Sequence, residues 1–154
     1  MTVTRKAIAA ALLKQLNVGD QFAATGRRDN KPEQAASPER PGIFLLKPRE
    51  VYSYGADQHG VPPVREFHYQ ALMYTDIGSD QTAVPADLVD DLLDVIDAAL
   101  APGFVDQVNN GGRQTLGGLV YDCRVEGDVE LAPGDVQGKG MVLIPIHVIV
   151  NQYP

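Results

Sequence analysis

The run MVLIPIHVIV at residues 141–150 limits the fold more than any other part of the chain. It is dense in β-branched side chains, which crowd a helix but pack well on a pleated surface, so it reads as a strand. Alternation places Val142, Ile144, Ile146, Val148 and Val150 on one face and Leu143, Pro145, His147 and Ile149 on the other. A face of valine and isoleucine alone has to be covered, which makes it the floor of a core. Pro145 has no N–H for a ladder bond and predicts an edge strand or a bulge.

The cover comes from two amphipathic segments. Residues 85–100 carry Leu88, Val89, Leu92, Leu93, Ile96, Ala99 and Leu100 as a wide apolar stripe, with Pro85 suited to a first turn and Pro102–Gly103 ending the helix. The opposite face is acidic throughout: Asp87, Asp90, Asp91, Asp94 and Asp97. Residues 4–16 repeat Ile8, Leu12 and Leu16 at a spacing of four, with Leu13 beside them and Lys6 and Gln15 on the wet side. Thr2 or Thr4 can cap the start, and Asn17 before Gly19 marks the stop.

Further strands are expected at 21–25, at 42–46 (GIFLL, closed by Lys47 and Pro48), at 64–74 and at 119–125, with 129–131 pairing near the last across Gly127 and Asp128. In 64–74, Phe67, Tyr69, Ala71 and Met73 share a buried face, while Glu66, His68 and Gln70 share a wetter one. In 119–125, Leu119, Tyr121, Cys123 and Val125 fall on one face. Two stretches lack apolar period and are rich in proline: an arm at about 26–41 and a loop at about 47–63. The 154 residues suit one domain. The expected architecture is α+β: a mostly antiparallel or mixed sheet of four to six strands, with two main helices on one face and long extended loops.

The formal charge of −7 is unevenly spread. Residues 1–49 hold nine basic and four acidic groups, a balance of +5, and the remainder holds four basic and sixteen acidic groups, a balance of −12. Such a split can orient copies of one chain head to tail. No stretch approaches the roughly 20 apolar residues of a membrane-spanning helix, and no signal-peptide pattern opens the chain, so folding in the cytoplasm is expected. The single cysteine, Cys123, sits in a strand pattern and is expected to be a buried thiol.

Motifs for chemistry are sparse. GGRQTLGG at 111–118 lacks the lysine of a phosphate loop and precedes a strand, so it reads as a turn. His59, His68 and His147 are spread along the chain without zinc-motif spacing, and Asp57 to His59 is the one local cluster. The helical aspartates have no basic neighbour to separate their pKa values, as paired catalytic carboxylates need. No G-x-S-x-G occurs.

In order, the chain presents the opening helix (Ile8, Leu12, Leu16), Phe22, the basic proline-bearing segment before PGIFLL at 41–46, REFHYQALMYTD, and PADLVDDLLDVIDAALAP. It ends in TLGGLVYDCRVEGDVELAPGDVQGKGMVLIPIHVIV. This series resembles the tail terminator (tail completion) family of long-tailed bacteriophages of the lambda type, over nearly the whole chain. VIDAAL, TLGG before a strand and the final IPIHVIV are its most characteristic parts. The resemblance implies a virion protein of the neck: a hexameric ring that binds the last ring of the tail tube, ends its growth and faces the head-side connector. DNA would pass through its lumen without sequence-specific binding. No cofactor, catalysis or membrane is implied.

On that reading, Arg27, Arg28, Lys31, Arg40, Lys47 and Arg49, with Tyr52 and Tyr54, are expected to contact a neighbouring subunit or partner. Asp87, Asp90, Asp91, Asp94 and Asp97 would form an acidic interface or line the lumen. A head-side stopper or adaptor is the alternative. A rival of another class is a small enzyme or ligand-binding domain using His68 or His147 near Cys123.

Overall fold

A computed structural model describes residues 3–27, 41–53, 64–76, 86–136 and 139–151. In chain order the elements are α1 (Arg5–Leu16), β1 (Ala24–Gly26), β2 (Gly42–Ser53), β3 (Val64–Asp76), α2 (Ala86–Leu100), α3 (Phe104–Asn109), β4 (Asp122–Val125), β5 (Glu130–Val136) and β6 (Lys139–Val150). The strands form one mixed sheet in the order β1-β2-β3-β6-β4, with β5 also paired to β6. Only β1–β2 is parallel. This is the expected α+β architecture, with six strands and one short helix beyond the two main ones.

Both main helices lie on one face of the sheet. Ile8, Leu12 and Leu16 of α1 and Val89, Leu92, Ile96 and Leu100 of α2 meet Ile43, Leu45, Phe67, Tyr69, Ala71 and Met73. The five β-branched residues of β6 complete this core as its floor. Thr4 caps α1 by accepting from the Ala7 amide at 3.1 Å. Asn17 ends the helix, and its side chain both accepts from and donates to the Phe22 backbone, which folds the chain back toward β1. Gln15 is not on the wet side as expected. It donates to the Ala99 carbonyl at 2.6 Å and ties α1 to the end of α2. Leu88 is 38% exposed, so the apolar stripe of α2 is narrower than its sequence suggests.

The structure corrects several strand readings. First, β2 does not stop at Lys47 and Pro48 but continues to Ser53, because the register shift between Leu46 and Arg49 absorbs both residues as a bulge. Residues 47–53 are therefore strand, not loop. Second, β6 is central despite Pro145. Gln70 is its partner on β3, while on the other side it faces the gap between β4 and β5, where no amide is required of it. Its carbonyl accepts from Glu126 N at 3.2 Å. Gly127 fills the gap at φ +119°, and a Cβ there would stand 3.2 Å from Pro145 Cγ. Third, β5 pairs with β6 rather than with the 119–125 segment.

The strand expected from residue 119 begins only at Asp122; residues 116–119 are turn, as expected for the glycine-rich segment through 118, with Leu116, Gly117 and Gly118 all at positive φ. The turn is held from α3. Asp106 Oδ1 accepts from the Thr115 hydroxyl at 2.6 Å, and Thr115 O receives the amides of Gly118, Leu119 and Val120. The glycine-rich segment is thus a structural turn built on a buried threonine.

Candidate functional site

Among the described residues no helix covers the other sheet face, and the side chains on it fall into two groups. Near the start of β2, Phe44, Leu72 and Tyr74 form a small apolar cluster with Ala24, Leu46 and Leu143 at its margin. Phe44 and Tyr74 pack at a ring distance of 5.7 Å.

Further along the same face the residues are ionisable. His68 and His147 are cross-strand partners on β3 and β6, and their imidazoles stack at 4.6 Å. Glu66 is two residues before His68 and so points to the same side. Its Oε2 stands 3.3 Å from His147 Nε2 and 3.8 Å from His68 Nε2. The other ring nitrogen of His147, Nδ1, meets Glu126, which follows β4. Glu126 and Asp122 in turn hold Arg124. Burial, with His147 and Arg49 nearby, holds the His68 pKa below the usual histidine range. The hydrogen bond from His147 draws Glu126 below the usual carboxylate range.

The helix face carries a second charged group, where α1 starts over the end of β2. Glu50 receives Arg5 Nε at 2.7 Å and also the Lys47 ammonium, and Arg5 reaches the Tyr52 hydroxyl. Arg5, Lys47 and Arg65 stand around the Phe67 ring, Lys47 nearest at 4.8 Å. The hydrogen bond from Arg5 and the nearby Lys47 pull the Glu50 pKa down to about 2.

These positions sort the residues expected at an interface. Arg28, Lys31, Arg40 and Tyr54 lie outside the described residues, as do Asp57 and His59. Arg27 is exposed just beyond the edge strand β1, and Arg49 is exposed on the open sheet face opposite His68. Lys47 is committed to Glu50 and Phe67 within the chain, and Tyr52 is half exposed beside Arg5. Asp87, Asp90, Asp91, Asp94 and Asp97 are all exposed on α2. None of them takes part in an ion pair among the described residues.

Sequence reasoning missed α3. It leaves Phe104, Val105 and Val108 exposed at 79%, 64% and 63%, directly after the acidic helix. Three large apolar side chains close in sequence on a charged surface were the available signal.

Cys123 is buried as expected, and burial raises its pKa to about 12. Its register partner is Val148, on the helix face. The histidines are on the opposite face, so a site joining either of them to Cys123 does not exist. A hollow of about 290 Å³ between α1 and the 116–117 turn brings in Lys14 as its one charged group among the described residues.

No protein-family model matches the chain, and no curated protein does. A solved structure of a protein with no functional name is similar to it at a TM-score of 0.50, with 16% identity over 99% of this chain and 96% of the other. At that identity the similarity shows the shared fold.

Proposed function

We propose that this chain is a structural subunit that acts by assembly: a tail-terminator-like protein forming a ring on the end of a phage tail tube and presenting its other side to the head-side connector. The observation that carries the reading is the surface of α2 and α3. Five aspartates without a cation partner among the described residues are followed by three apolar side chains left in water. Surfaces of this composition are stabilised when a partner supplies positive charge and apolar cover. Arg27 and Arg49 lie on other parts of the molecule, at the β1 edge and on the open sheet face. Unlike and complementary surfaces on one chain favour head-to-tail contacts over two-fold dimers; such contacts give a ring when the rotation between copies closes, which is the case proposed. The order of motifs along the sequence supplies the particular ring.

The test is charge reversal at Arg27 and Arg28 together. Circular dichroism of the variant should match the parent, while association with tail tubes, read by electron microscopy, should fall. Normal capping by a folded variant would refute the contact assignment. A head-side stopper is distinguished by the ring it binds: the connector and not the tube.

A further inference from the structure

We infer that Glu66, His68 and His147 form a binding site for one divalent transition-metal ion of the Zn²⁺ type on the open face of the sheet. The argument begins with His147. Carboxylates face both of its ring nitrogens, Glu126 at Nδ1 and Glu66 at Nε2. A neutral imidazole has one N–H and satisfies one of them, leaving a lone pair against a carboxylate oxygen at the other. A second proton or a metal cation resolves that conflict.

His68 decides between the two. Its Nε2 is shielded from solvent and makes no hydrogen bond, although it stands 3.8 Å from Glu66 Oε2. Protonation of His147 leaves this nitrogen unused. A metal ion uses all three groups, since Glu66 Oε2, His68 Nε2 and His147 Nε2 lie within 4.8 Å of one another. Ligands about 2.0–2.1 Å from a tetrahedral metal are roughly 3.3 Å apart, so the Glu66–His147 pair is already at the required separation, while the His68 ring has to close up to about 1.5 Å and tilt out of its stack on His147, so that both in-plane lone pairs meet one ion.

The surroundings match what a metal site needs. Glu126 on Nδ1 fixes the ring of His147 and leaves Nε2 as the ligand, the usual outer carboxylate of a metal-bound histidine. Two imidazoles and one carboxylate select Zn²⁺, Co²⁺ or Ni²⁺ over Mg²⁺ and Ca²⁺, which prefer oxygen donors. The three ligands found among the described residues leave a fourth position of a tetrahedral ion to be filled. The site is built from the monomer fold alone and shares its sheet face with Arg49, the register partner of His68 and one of the residues proposed for ring contacts.

The experiment is equilibrium dialysis of untagged protein against Zn²⁺ at pH 7, with metal per chain read by mass spectrometry. One ion per chain is expected, unaffected by excess Mg²⁺, with Co²⁺ giving the visible absorption of a tetrahedral centre. His68→Ala and His147→Ala should each abolish stoichiometric binding, and Glu126→Gln should weaken it by about 10- to 100-fold. His68 is 35% exposed, so its variant is expected to fold and decides the matter if the His147 variant does not. Substoichiometric binding by the parent, or full binding by a folded His68→Ala variant, would overturn the assignment.

Discussion

Replacing Glu50 by glutamine removes the one carboxylate that stands between Arg5 and Lys47. In the folded chain its pKa falls from 4.5 to about 2, chiefly through the Arg5 hydrogen bond and then through Lys47. At about 1.36 kcal/mol per pKa unit, that fall sets a ceiling of about 3 kcal/mol on the stabilisation. Arg5 is 45% exposed and water screens it, which reduces the expected contribution to about 1 kcal/mol. The folded pKa lies below the unfolded one, so the contribution is complete above pH 4.5 and drains away as the pH falls toward about 2. Urea unfolding of the parent and Glu50→Gln at pH 7 and pH 3 measures it. With a slope of about 1–3 kcal/mol per molar urea, the pH 7 midpoints should differ by about 0.3–1 M, and more than half of that gap should be gone at pH 3. An equal gap at both pH values, or none at pH 7, would show that Glu50 is not held as an anion by these two cations.

Other substitutions probe the scaffold beneath the two surfaces. Ile96→Ala empties a fully packed position between α2 and the sheet and should cost about 2–5 kcal/mol in chemical unfolding. Gly127→Ala puts a Cβ against Pro145 at φ +119° and should cost about 1–3 kcal/mol, whereas a freely accommodated alanine would show that the gap between β4 and β5 is loose. Asp106→Ala leaves the Thr115 hydroxyl without its acceptor and should lower stability by about 1–3 kcal/mol, or roughly 2–12 °C in melting temperature by calorimetry.

The parts of the fold legible in the sequence were those with a repeating physical signature. The stripe of Ile8, Leu12 and Leu16, the alternation of Phe67 to Met73, and the β-branched face of β6 each announced what they bury. Pairing was less legible, since it depends on partners distant in the chain. Pro145 looked like an edge residue because nothing local says that β4 and β5 leave a gap opposite it. Pro48 looked like a stop because a bulge can absorb it only when β3 is present as a template. The six-residue α3 is too short for a period, and its apolar side chains face water. The charged face of α2 was read directly from its aspartates. The grouping of Glu66, His68 and His147 required the β3–β6 register, which pairs His68 with His147. Even there, the shared face of Glu66 and His68 was visible as a two-residue spacing.

The most direct measurement of the proposed capping role is electron microscopy, with mass determination, of this protein mixed with tail tubes of a long-tailed phage. A hexameric collar at one tube end, with no further tube growth on adding subunits, is the predicted result. Tubes that keep growing with bare ends, under conditions where the protein is folded and in excess, would contradict the assignment.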